Sequence, residues 1–356
     1  MRYNSKTSTG QLSLSLLYEG IRYGVKGEIS GNGTFSGSFT KKDDTRRNVV
    51  VSLRIKENDS GDFILDGSMT GDGARKYLSL YRNVFHKRSN PYPKAGRFTM
   101  ILPRDRNANG ATSTAGYGIG STSVATSGLL KTAGYLGDGS KINISGYMSP
   151  SDEVAIFASL YGKRAVGSIG GILKFNQADN VSSANGTLHW RKSASTLAPY
   201  LKAFSVLQPT LLSPYSAPNS KAGELMISTI GAGPGNADIL LGDNRIGGIR
   251  TLTWDTRNKI TLVESDNEKF SVKVSTKTEI VTGTHQNLQT RVKTVFRGIV
   301  YQVQDIIVGH YFGDNRTGYM EIKSPHRPKL EILDSIDSPI TNGQSISFSD
   351  TGFEGG

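Results

Sequence analysis

Five histidines, His86, His189, His285, His310 and His326, are the side chains best suited to acid–base or metal chemistry, and they are scattered along the chain. Apart from Asp314, isolated four after His310, none has a second histidine or a carboxylate two or four residues away in the pairing that metal sites favour. There is no cysteine, so disulfides, thiolate ligands and cysteine nucleophiles are all absent. Asp43-Asp44 and Asp152-Glu153 are adjacent acidic pairs. On a strand such neighbours point to opposite faces, so neither forms a glycosidase couple unless distant strands bring two carboxylates to about 5 to 9.5 Å. Asp72-Gly73 and Asp138-Gly139-Ser140 could lend oxygens to calcium, but the alternating Asp run of a calcium loop is missing and turn positions are expected. No Gly-x-Ser-x-Gly sits between a strand and a helix. No catalytic residue, cofactor or metal ligand is therefore assigned.

Two glycine clusters, Gly116-Tyr117-Gly118-Ile119-Gly120 and Gly231-Ala232-Gly233-Pro234-Gly235, look superficially like phosphate loops. Cradling phosphate needs a glycine turn that opens onto a helix N-terminus, and no helical pattern follows either cluster. Trp190 and Trp254, with Tyr117, Tyr147 and Tyr161, could form a platform for stacking sugars, although sheet packing is the commoner fate of aromatics at strand positions. The net charge is +12. Lys41, Lys42, Arg46 and Arg47 form a candidate polyanion site, with His86-Lys87-Arg88 a second basic cluster. Asp43 and Asp44 interrupt the first cluster, and basic residues on solvated strand faces also discourage edge-to-edge aggregation. A surface polysaccharide or another polyanion is the expected partner if there is one; nucleic acid is not.

The elements that must carry these residues are strands. The 356 residues suffice for two or three domains, and 42 glycines with 36% hydrophobic residues suit many short strands joined by turns. Gln11-Leu12-Ser13-Leu14-Ser15-Leu16 alternates as a half-buried strand does, and Asn32-Gly33 is a hairpin signal. Phe35-Ser36-Gly37-Ser38-Phe39 is echoed around Leu130 to Tyr135 and at Ile280 to Thr284, which suggests one sheet unit used repeatedly. No window keeps a helical stripe. The predicted fold is all-β, with antiparallel meander units forming barrel- or sandwich-like domains. The expected domains are 1–95, a first meander unit; 96–218, a second ending in a Pro-rich linker over Ala194 to Pro218; 219–325, a third β unit; and 326–356. No stretch is apolar for the ~18 residues of a membrane span, and the opening residues lack the apolar core of a signal peptide.

Several phrases resemble a family of repeated β-domains in very large exported proteins of Verrucomicrobia and Planctomycetes. They are Gly116-Tyr117-Gly118 followed by Gly134-Tyr135-Leu136-Gly137-Asp138-Gly139-Ser140; Ala158-Ser159-Leu160-Tyr161 with Gly170-Gly171-Ile172-Leu173 and Leu188-His189-Trp190; and Phe296-Arg297-Gly298-Ile299-Val300-Tyr301-Gln302 with Gly309-His310-Tyr311-Phe312-Gly313 and Gly318-Tyr319-Met320. The likeness covers about residues 10 to 323. It departs at Glu279-Ile280-Val281-Thr282-Gly283, where the family more often has Gly-Leu-Phe-x-Gly. The tail from Leu330 to Ser349 is similar to the opening strands of an Ig-like repeat, so 326–356 reads as a truncated Ig-like domain expected to pack weakly on the third unit or not at all.

The resemblance implies a non-enzymatic structural or adhesive region of a bacterial exported or cell-surface protein, extracellular and monomeric, with neighbouring domains of the same longer chain as partners. It transfers no catalytic or binding residue. The alternatives are a polyanion- or carbohydrate-binding module and, second, a glycan-active enzyme.

Overall fold

Strand alternation becomes burial alternation in strands such as Thr34–Thr40, Lys141–Tyr147 and Glu153–Leu160. In Thr34–Thr40, Phe35 is buried while Thr34, Ser36, Ser38 and Thr40 are exposed. The computed structural model describes residues 2–4, 9–18, 21–40, 48–59, 61, 63–71, 74–104, 115–162, 167–175, 184–194, 203–219, 222–230, 233–242, 248–264, 267–313, 316–325 and 340–341. Strands account for 67% of the structure and helix for 2%. Among the described residues every strand pairing is antiparallel, as the alternation predicts. The chain divides into two compact units, Met1–Val84 and Phe85–Asn342.

In the first unit, β1 (Arg2–Asn4), β2 (Thr9–Tyr18) and β3 (Ile21–Ile29) form one sheet. A meander of β4 (Thr34–Thr40), β5 (Asn48–Glu57), β6 (Phe63–Gly71) and β7 (Ala74–Tyr81) forms a second. Leu12, Val25 and Ile29 from the first pack with Phe35, Val51, Leu53 and Met69 from the second in a single core.

The second unit holds two larger sheets. One comprises β8 (Gly96–Leu102), β9 (Gly118–Val124), β10 (Leu129–Tyr135), β11 (Lys141–Tyr147), β12 (Glu153–Leu160), β13 (Gly167–Phe175), β14 (Ala184–Lys192) and β15 (Phe204–Pro214), in the order β11-β10-β9-β8-β15-β14-β13-β12. Sequence neighbours are spatial neighbours and the first strand pairs with the last, so the sheet curls into a nearly closed up-and-down barrel with its seam between β11 and β12. The other comprises β16 (Gly233–Leu241), β17 (Arg250–Trp254), β18 (Ile260–Leu262), β19 (Glu268–Val274), β20 (Ile280–Asn287), β21 (Lys293–Tyr301), β22 (Ile306–Gly313) and β23 (Arg316–Lys323). It repeats the plan: β16 pairs with β23, and the seam lies between β18 and β19.

A side chain bridges the second seam: the Arg250 guanidinium reaches across from β17 to Glu268 on β19 at 2.9 Å. In the first barrel Lys94, ahead of β8, donates to Asp152 at 2.6 Å and to the Phe175 carbonyl at 3.1 Å.

One sequence expectation needs correction. Phe204–Pro214, inside the segment read as a Pro-rich linker, is the long strand that closes the first barrel, paired with β14 along its length and with β8 over Leu211–Pro214. Pro209 misled because proline removes a ladder donor. Here it lies between the stretches where β15's outer edge is paired, at Val206–Leu207 with β24 (Ile340–Thr341) and from Leu211 onward with β8, so its missing amide costs nothing on that edge. Those two tail residues pair with a strand of the first barrel, whereas the tail was expected to pack weakly on the third unit or not at all; the rest of 326–356 lies outside the described residues.

Candidate functional site

Two of the phrases that carried the resemblance, around Gly116–Ser140 and Phe296–Met320, meet in space where the two barrels of the second unit join. Glycine makes the approach possible. A Cβ on Gly116 would stand 2.5 Å from the His310 Cβ and 2.9 Å from the Gly318 carbonyl oxygen, and one on Gly139, whose φ is +77°, would overlap the Phe312 ring. The backbone is thereby close enough for the Tyr117 amide to donate to the Gly309 carbonyl at 3.2 Å. The middle of the joint is apolar: Ile101, Tyr117 and Ile119 from the first barrel pack on Ile299, Tyr301, Ile306 and Val308 from the second.

One end of the joint is aromatic and ionisable. His310 is fully buried, and its Nδ1 lies 2.9 Å from the Tyr117 carbonyl oxygen. A carbonyl only accepts, so Nδ1 carries the proton and Nε2 is left without a hydrogen-bond partner. Burial, with Arg297 nearby, lowers the His310 pKa to about 4 and keeps the ring neutral. The Arg297 guanidinium stacks 4.3 Å from the Tyr135 ring of the first barrel and 5.7 Å from Phe312 of its own. Tyr117 donates through its hydroxyl to Glu321 at 3.2 Å, and Arg104 lies 4.0 Å above the Tyr319 ring. Burial, reinforced by Glu321, raises the Tyr117 hydroxyl well above its ordinary value.

The other end is built on Glu279, fully buried at a left-handed φ of 54° just before β20. Thr99 Oγ1 on β8 lies 3.0 Å from Glu279 Oε2 and also 3.0 Å from the Val300 carbonyl oxygen. A hydroxyl has one proton, so Thr99 can serve both acceptors only by sharing it. A protonated Glu279 that donates to Thr99 frees Thr99 to donate wholly to Val300. Desolvation points the same way, raising the Glu279 pKa to about 8 against the opposing effect of hydrogen bonds from Ser121 and Thr99 and the charge of Arg97. Arg97 also donates to the Lys277 carbonyl and lies 5.4 Å above the Tyr215 ring, and Tyr215 donates to the Thr276 carbonyl at 2.7 Å.

No family model, curated protein or solved structure matches this chain.

The other candidates are dispersed. Lys41, Lys42, Arg46 and Arg47 lie outside the described residues, as do Asp43, Asp44, Asp72, Gly73 and His326. Asp152 pairs with Lys94, and Glu153 with Lys174 at 3.5 Å. Asp138 accepts from the Ser140 amide at 2.8 Å and the Tyr161 hydroxyl at 2.8 Å, and Tyr161 accepts from Trp190 Nε1 at 2.9 Å. Burial pushes Asp138 up, while those hydrogen bonds and Lys192 oppose it. Among the described residues no three His, Asp or Glu side chains gather where a metal ion could bind. Trp190 and Trp254 are buried, the latter donating to Asn258 Oδ1 at 3.1 Å, so the imagined stacking platform is core; of its five members only Tyr147 is well exposed. His86 sits in an exposed turn and His189 meets Ser205 at 2.6 Å. His285 is buried beside Glu268, whose pKa is lowered chiefly by hydrogen bonds from Arg250. Neither Glu279 nor Thr99 is marked as a site by the sequence; the one signal is that Glu279 opens the phrase where the resemblance departs.

Proposed function

We propose that the chain is a non-enzymatic structural or adhesive β-repeat region of a larger bacterial exported or cell-surface protein, similar to the repeated β-domains of Verrucomicrobia and Planctomycetes, acting outside the cell as a monomeric stretch of a longer chain. The observation that carries this reading is the use made of the displaced ionisable groups. A catalytic site sets such groups facing a substrate. Glu279 and His310 are fully buried and spend their hydrogen bonds on the opposite barrel. Glu321, Asp138, Asp152 and Glu268 are likewise each matched by a hydroxyl, an amide, an ammonium or a guanidinium. A double barrel held in this way is a stiff spacer.

The test is incubation of the whole chain with a panel of soluble glycans, read as newly formed reducing ends. No release above buffer is expected. Release that disappears in Asp138→Asn or Glu153→Gln would replace this reading with a glycan hydrolase. Antibody raised against the chain should label intact producing cells, and a signal seen only after lysis would overturn the location.

A further inference from the structure

Strand β7, Ala74-Arg75-Lys76-Tyr77-Leu78-Ser79-Leu80-Tyr81, sends Leu78 and Leu80 toward the core of the first unit and leaves Arg75, Tyr77, Ser79 and Tyr81 exposed on the other side. Tyr77 is 82% exposed and Tyr81 40%. Four residues apart on one face of a strand, the rings stand about 13 Å from each other. The register places Ser68 and Asp66 of β6 beside Tyr77 and Ser79, then Ser52 and Arg54 of β5, then Ser36 and Thr34 of β4. The outer face is thus rows of hydroxyls crossed by cationic side chains. Arg54, Lys56 and Arg75 are all exposed on it, against the single carboxylate of Asp66. Asp66 is 3.7 Å from Arg54 and accepts from Ser79 at 3.3 Å. The Arg75 guanidinium lies 5.6 Å from the centre of the Tyr77 ring.

A solvated face that resists aggregation needs charge on its edge strand, and Arg75 supplies it. It does not need two exposed tyrosines on that strand. Tyrosine is the side chain that offers a wide apolar surface with a polar tip at small entropic cost, which suits recognition.

We propose that the outer face of β4–β7 binds an anionic polysaccharide. The C–H faces of sugar rings about two to three units apart along the polymer stack on Tyr77 and Tyr81, the guanidinium groups of Arg54 and Arg75 pair with carboxylate or sulfate groups, and Ser52, Ser79 and Thr34 meet sugar hydroxyls. The excess of positive charge on this face favours an anionic chain over a neutral one. The inference rests on the adhesive side of the proposed function and names what is adhered to.

The test is affinity electrophoresis of the whole chain through gels containing heparin (sulfated), polygalacturonate (carboxylated) or dextran (neutral). Retardation by one or both anionic polymers and not by dextran is expected, weakening as salt rises. Tyr77→Ala should weaken retention about tenfold, the equivalent of ~1.4 kcal/mol, and the Arg54→Ala/Arg75→Ala pair at least as much. Tyr147→Ala, which removes an exposed tyrosine of the other unit, should change nothing. Tyr77 is too exposed for its loss to unfold the chain, and an unchanged circular dichroism spectrum verifies that. Equal retention by dextran overturns the proposal. So does binding that survives the Tyr77 and arginine changes but is lost on reversing the charges of Lys41, Lys42, Arg46 and Arg47. Absence of retention by any polymer overturns it too while leaving the structural reading intact, whereas glycan turnover would remove that reading instead.

Discussion

A single proton decides the state of one end of the joint. Glu279 has a folded pKa of about 8 against an unfolded value near 4.5. Its contribution to stability is therefore complete below about 4.5 and lost as pH rises through 8. His310 works in the opposite sense: its pKa falls to about 4 on folding, from an unfolded value of about 6.5. Its contribution is present above 6.5 and lost as pH falls through 4. The two slopes oppose each other over roughly pH 4.5 to 6.5, and between about 6.5 and 8 only that of Glu279 remains, at up to ~1.4 kcal/mol per unit. Urea unfolding of the wild type and of Glu279→Gln across pH 6 to 9 checks this. Glutamine keeps a donor for Thr99 and does not titrate, so its stability should fall less steeply with pH. Because Asp138 and Lys192 are common to both proteins, the difference isolates Glu279, and parallel profiles would show that it is not protonated in the folded state.

At the level of the element, the seams matter more than the ladders, because a ladder is fixed along its whole length and a seam rests on a few side chains. Arg250 and Glu268 are 29% and 13% exposed, and the guanidinium reaches the carboxylate through two nitrogens. Removing Arg250 leaves that carboxylate half-buried beside His285 without its main partner. Arg250→Ala is therefore expected to cost about 1.5 to 3 kcal/mol. The cross-strand pair Lys174–Glu153 has a lysine 60% exposed, and Lys174→Ala is expected to cost less than about 0.5 kcal/mol. Thermal unfolding followed by circular dichroism ranks the two, and equal losses would mean that the seam does not depend on its bridge. Glycine pairs are the counterpart within the ladders. Gly120 faces Gly134, and Gly298 faces Gly309. A Cβ on Gly309 would come 1.9 Å from the Arg297 carbonyl oxygen, so a side chain at this pair would force the backbones apart.

For the whole molecule, the shared joint predicts that the two barrels unfold as one. Calorimetry of the intact chain should resolve one transition for both barrels and a separate one for the unit spanning Met1–Val84. Gly139→Leu drives a side chain into the Phe312 ring at a positive φ, so it should split the barrel transition into two. A single unsplit transition in that variant would show that the barrels depend on each other through contacts other than this joint.

Alternation of residue types and turn chemistry made strands readable from the sequence: Gln11–Leu16 and Phe35–Phe39 lie within strands Thr9–Tyr18 and Thr34–Thr40, because a half-buried strand must place every second side chain inside. The all-β class follows from the same local rule. Closure does not. That β8 meets β15 and β16 meets β23 depends on sheet twist and shear accumulated over eight strands, which no local window contains. The strand at Phe204–Pro214 stayed hidden because the tolerance of Pro209 depends on which neighbours reach the outer edge of β15. The joint was legible only as unexplained spelling, in glycines and aromatics at Gly116, Tyr135, Arg297 and His310. Its chemistry arose when residues some two hundred positions apart were brought together: Thr99 with Glu279, and Tyr117 with His310. Tertiary contact removed water from those groups, and desolvation, a property of the place a side chain occupies, set their protonation.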